Sequence, residues 1–143
     1  MSKRKAIMEL LDKIGINYKR IEGKSNDFYV IFYETSSEKV IKLGIAVDNS
    51  MFVIYIPEIQ KFDARKKCSK LKELNELNSM LIYGTCFIHE SENYVSYKIS
   101  QSIEGDAKIT EEQLKDYFGA ISKAVDKLSI PKESSKTKAT VII

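Results

Sequence analysis

Residues 63–128, DARKKCSKLKELNELNSMLIYGTCFIHESENYVSYKISQSIEGDAKITEEQLKDYFGAISKAVDKL, decide the fold. Asp63 can cap a helix that ends in Leu74-Asn75-Glu76-Leu77-Asn78, with Ala64, Cys68, Leu71, Leu74 or Asn75, and Asn78 on one side. Leu81 to His89 and Tyr94 to Ile103 then alternate as two strands, turning through Glu90-Ser91-Glu92-Asn93. Pairing His89 with Tyr94 sets Ile88 against Val95, Cys86 against Tyr97 and Gly84 against Ile99. The other side receives Phe87 opposite Ser96 and Thr85 opposite Lys98. Thr110 and Gln113 form a capping box for a last helix, striped by Leu114, Tyr117, Phe118, Ile121, Val125 and Leu128, with Pro131 beyond its end.

Upstream, Ile7, Leu10, Leu11 and Ile14 recur at helical spacing, so a first helix is expected over 3–14, stopped by Gly15 at a left-handed C′ position. Asn17 to Glu22 is a candidate short strand, followed by a Gly23-Lys24-Ser25-Asn26 turn. From Asp27 to Ile56 three strands alternate: Phe28, Val30, Phe32; Ile41, Leu43, Ile45; Phe52, Ile54, Ile56. With a four-residue connector at Thr35–Glu38 and a two-residue turn at Asp48-Asn49, Val30 faces Leu43 and Leu43 faces Ile54, all on one core side. Pro57 is expected to end this meander and Glu58 to Phe62 to form a linker. The reading is an α+β domain of order α-β(3-4)-α-β-β-α: one antiparallel sheet, built of a β-meander and a β-hairpin, packed with three helices. Residues 1–131 form that single domain, and 132–143 a mobile polar tail with an apolar end.

In this register the meander's other side carries Tyr29, Ile31, Tyr33, Val40, Lys42, Gly44, Ala46, Met51, Val53 and Tyr55. A solvated sheet face is normally polar, and this one is not. Either another part of the chain covers it, or it is a binding surface, with Tyr29, Ile31, Tyr33, Met51, Val53 and Tyr55 as the contact residues.

The 143 residues, 43% hydrophobic and 30% charged, suit one soluble globular domain. Lys and Arg number 23 against 20 Asp and Glu, an excess well short of a dedicated nucleic-acid binder. Lys3, Arg4 and Lys5 with Arg65, Lys66 and Lys67 of the basic stretch 65–70, joined by the lysines of the tail, are the candidate polyanion-binding groups, should they converge on one face. Glu9 and Asp12 interrupt any signal-peptide core, and no run is long enough to span a membrane, so a cytoplasmic location is expected. Cys68 and Cys86 have no metal-ligand spacing and read as buried thiols. His89 is the only histidine, and Cys86, three residues away on a strand, points to the opposite side. The six glycines make neither dinucleotide-binding nor P-loop runs. The expectation is no enzyme, no metal and no cofactor.

Leu74-Asn75-Glu76-Leu77-Asn78 closing a helix, a hairpin opened by Tyr83-Gly84, and a Thr-capped last helix after the acidic loop Glu104-Gly105-Asp106 together resemble the YbjN-like domain family. That family is similar in fold to type III secretion chaperones, which share the element order and are usually dimeric. The resemblance implies a protein or peptide partner and a homodimer. It brings no catalytic residues. Asn75 and Asn78 are expected to bond nearby backbone through their side chains.

Overall fold

The computed structural model describes residues 2–89 and 92–129. The elements are α1 (Lys3–Lys13), β1 (Lys19–Glu22), β2 (Asp27–Glu34), β3 (Val40–Val47), β4 (Met51–Lys61), a single 3-10 turn at Ala64–Lys66, α2 (Lys67–Met80), β5 (Thr85–Ile88), β6 (Tyr94–Ser102) and α3 (Glu111–Ser129). The expected tail, 132–143, lies outside the described residues, as do Glu90 and Ser91 of the hairpin turn.

The helix ends form as their sequences dictate. Ser2 Oγ accepts from the Lys5 N–H to cap α1. Gly15, at φ +79°, closes it in a Schellman motif, with Ile16 N–H donating to Leu11 C=O. Asp63 accepts from the Arg65 N–H ahead of α2. Thr110 and Gln113 exchange side-chain and backbone bonds of 3.0 and 3.1 Å to open α3.

All six strands pair antiparallel in one open sheet of order β1-β2-β3-β4-β6-β5. The helices supply Ile7 and Leu11, Leu74 and Leu77, and the α3 stripe to one continuous core against one face of the sheet. Tyr33 packs on Phe118 and Phe52 on Tyr117. Each such side chain taken from water contributes roughly 1.5–3 kcal/mol.

The β5–β6 register is the expected one: Ile88 faces Val95, Cys86 faces Tyr97, Phe87 faces Ser96 and Thr85 faces Lys98. The meander register differs. Leu43 faces Ile31 instead of Val30, Ile45 faces Tyr29, and Ile41 faces Tyr33. The cause is the β2–β3 loop. It has three residues, Ser36-Ser37-Glu38, with Thr35 N–H donating to Lys39 C=O and Glu38 in the left-handed region at φ +65°. An odd loop shifts the pairing by one residue and turns every side chain of β2 over. Tyr29 and Ile31 are therefore buried against the helices, Tyr33 leans on Phe118, and Phe28, Val30 and Phe32 occupy the outer side.

The β3–β4 turn also differs, centring on Asn49-Ser50, where Asp48 Oδ1 accepts from the Ser50 and Met51 N–H groups. That moves the pairing by two residues, so Ile45 faces Ile54 and Val47 faces Phe52, and the core side is kept. Pro57 does not end the strand. β4 continues to Lys61 through an irregularity between Ile56 and Gln60, the setting in which a strand tolerates proline. In α2 the buried side is Leu74 and Leu77, leaving Leu71 and Cys68 exposed; of the two thiols only Cys86 is interior.

Candidate functional site

With the helices on one face, the other face of the sheet is open among the described residues. Side-chain alternation places Ile21 of β1, Phe28, Val30 and Phe32 of β2, Val40, Gly44 and Ala46 of β3, Met51, Val53 and Tyr55 of β4, and Phe87 of β5 on it. Their exposure is high for such large groups: Phe32 68%, Val40 66%, Ile21 52%, Phe28 41% and Met51 38%. Of the six expected contact residues, Met51, Val53 and Tyr55 are on this side and Tyr29, Ile31 and Tyr33 are not; Val40, Lys42, Gly44 and Ala46 are on it as expected. Phe28, Val30, Phe32 and Phe87 were missed, and the missed signal is the loop length, since β2 is large and apolar at both parities.

A shallow slot of about 290 Å³ lies in this face, lined by Phe28, Gly44, Ala46, Val53, Tyr55, Phe87 and Lys98. Registry explains its shape. Gly44 sits opposite Val30 on one side and Tyr55 on the other, and Ala46 opposite Phe28 and Val53. The Phe28 ring lies across Gly44, where a Cβ would come within 2.6 Å of its tip, so the small residue is what lets the ring lie down. Tyr55 and Phe87 stack at 6.4 Å to form the opposite wall, and Lys98, the cross-strand partner of Tyr55, stands at its end.

The basic clusters do not meet. Arg4 is tied to the β1–β2 end, donating to the Gly23 and Lys24 carbonyls and to Asp27. Lys3 Nζ donates to the Gly105 and Ala107 carbonyls, and Lys5 is exposed. Arg65 pairs with Asp63 at 2.8 Å, and Lys66 and Lys67 lead into α2, which packs on β5 at the opposite edge of the sheet.

Asp27 is the one fully buried carboxylate among the described residues, and the sequence reading passed over it. Arg4 Nη2 lies 2.5 Å from one oxygen and Arg20 Nη2 2.8 Å from the other, while the Tyr29 hydroxyl donates weakly at 3.4 Å. Burial pushes this carboxyl up, but the hydrogen bonds from Arg4 and Arg20 outweigh it and hold it below the usual range. Burial also pushes the Tyr29 phenol up to about 12, so it stays a neutral donor. The cluster faces the core and fastens α1 to the first hairpin.

Little here suits bond-making chemistry. Burial pushes the Cys86 thiol up to about 12, far from a reactive thiolate. Cys86 faces the helices, while His89 stacks on Tyr94 at 5.2 Å. Among the described residues no cluster of His, Cys, Asp and Glu could hold a metal ion, and no helix is long and apolar enough to cross a membrane.

An open antiparallel sheet with three helices on one face defines a class of small α+β proteins. The family model YbjN, described as "Putative bacterial sensory transduction regulator", matches residues 3–129, and the chain belongs to that family. The fold is also that of two solved structures. One is YbjN, described as "a putative transcription regulator from E. coli", at TM-score 0.53 and 16% identity over 85% of this chain and 87% of that one. The other is an uncharacterized protein from Methanothermobacter thermautotrophicus, at TM-score 0.55 and 18% identity over 85% and 90%. No curated protein matches the sequence.

Proposed function

We propose that this chain is a non-catalytic regulatory module, adaptor-like or chaperone-like, that works by binding protein through the open face of its sheet. The observation that carries the reading is the set Ile21, Phe28, Phe32, Val40 and Met51, all large, apolar and exposed on one face. Contiguous apolar surface of this kind marks an interaction site more often than an accident of composition. The regulatory description of the family supports the same direction. Either a second copy, giving the expected homodimer, or another protein would fill the face.

The test pairs Phe32→Asp with Val40→Asp in one chain. Both positions are solvent-exposed, so far-ultraviolet circular dichroism should be unchanged while association, read by sedimentation velocity and by cross-linking in cell extract, is lost. Unchanged association would overturn the reading. The polyanion alternative, through Lys3, Arg4, Lys5, Arg65, Lys66 and Lys67, predicts instead a nucleic-acid affinity that falls steeply with salt and ignores both substitutions.

A further inference from the structure

The open face is not electrically neutral. Alternation puts Lys19, Lys42 and Lys98 on it, with Glu34 at the end of β2, while Lys61, opposite Tyr94 on the same side, is already paired with Glu58 at 3.5 Å. None of the first three lysines belongs to any ion pair among the described residues. Lys98 is exposed and lines the slot beside Tyr55 and Phe87. We propose, resting on the reading of this face as a protein-binding surface, that its occupant is an acidic, apolar segment of another protein: one apolar side chain enters the slot over Gly44 and Ala46, and a neighbouring carboxylate pairs with Lys98.

Charge complementarity selects that occupant. A second copy docked face to face about a two-fold axis would set the three unpaired lysines against their own copies, with Glu34 of each chain to answer them and Glu58 already held by Lys61. A small ligand is a poor fit as well, because such ligands are gripped in concave sites that bury most of their surface. Here the slot is shallow and opens onto Phe28 and Val53, and the apolar surface runs on to Phe32, Val40 and Met51. A segment of chain, with side chains spaced along it, matches both the breadth and the sign. The slot supplies apolar contact, and the lysine rim supplies orientation and speeds the encounter.

The experiment is selection of a random-peptide display library on the full chain, repeated on Lys98→Glu and on Phe32→Asp. The expected result is enrichment of peptides that join an aromatic or branched aliphatic residue to Asp or Glu. Their affinity should fall roughly tenfold on Lys98→Glu, whose own selection should yield Lys or Arg in place of the acids. Peptides without acidic residues, or indifferent to Lys98→Glu yet lost on Phe32→Asp, would overturn the acidic occupant and leave the protein-binding reading standing. No enrichment, together with a dimer that Phe32→Asp splits, would name the second copy and overturn the proposal. No enrichment with no such dimer would overturn both.

Discussion

The side-chain amide of Asn78 is paired in both directions with the backbone of Cys86: Nδ2 donates to the Cys86 carbonyl at 3.0 Å, and Oδ1 accepts from the Cys86 N–H at 2.9 Å. A residue of α2 thus stands where a further strand would bond, closing the middle of the edge strand β5. Asn78→Ala should lower stability by about 1–3 kcal/mol, because both backbone groups lose their partner beside a buried side chain. Urea unfolding gives the size, and amide exchange gives the cause: Cys86 should exchange faster while core amides of β3 follow only the global change.

Asp27 should make the domain acid-sensitive. Its folded pKa is depressed, so the unfolded chain binds the extra proton and stability rises with pH across the titration. The contribution is fully present above the ordinary carboxylate value of about 4 and is lost as pH falls through the lower folded value. Asp27→Asn should cost about 3 kcal/mol at neutral pH, at the low end for breaking a buried pair since both guanidinium groups reach water. It should also flatten the acid limb of a stability-against-pH curve. An unchanged limb would mean that other carboxylates carry it.

Glu38 holds a left-handed conformation that L side chains adopt at some cost. Glu38→Gly should leave stability unchanged or raise it by up to about 1 kcal/mol, strain relief being partly offset by a more flexible unfolded chain. Glu38→Val should lower it by about 1 kcal/mol or more, because a branched Cβ is worst at positive φ. Denaturation midpoints of the two variants should therefore move apart.

Neighbours on β2 should respond oppositely to the same charge. Ile31→Asp buries a carboxylate in the core and should unfold the domain, a loss above about 4 kcal/mol. Phe32→Asp, on a side chain 68% exposed, should stay within about 0.5 kcal/mol. Circular dichroism of the two single variants separates them. The opposite outcome would restore the register in which Val30 faces Leu43.

Element identity was legible wherever the signal is local. The capping pair Thr110 and Gln113, Gly15, the Asp63 cap and the α3 stripe each act within a few residues, and each forms as its chemistry requires. The β5–β6 register was legible too, because core and surface residues there differ clearly in size and polarity. β2 has no such contrast: Phe28, Tyr29, Val30, Ile31, Phe32 and Tyr33 are apolar or aromatic throughout, so hydrophobicity could not choose a side. The choice fell to the loop, and its left-handed residue is a glutamate where glycine or asparagine would have announced the turn. Asp27 was invisible for a different reason: its arginine partners come from α1 and β1, and only the fold brings them together. Of the open face, the β3 and β4 residues were readable and the β2 residues were not.

The three-residue connection between β2 and β3 behaves as a reading frame for exposure. Adding or removing a single residue there would be a frameshift: no strand side chain changes, yet the water-facing script of β2 switches from Phe28, Val30, Phe32 to Tyr29, Ile31, Tyr33. Because both scripts are bulky enough to line a core, such an edit would trade phenylalanine for tyrosine on the open face and exile the Arg-bound Asp27 from its pocket. One codon in a loop would thus rewrite what the surface says, a route to new partners that leaves every residue of the sheet in place.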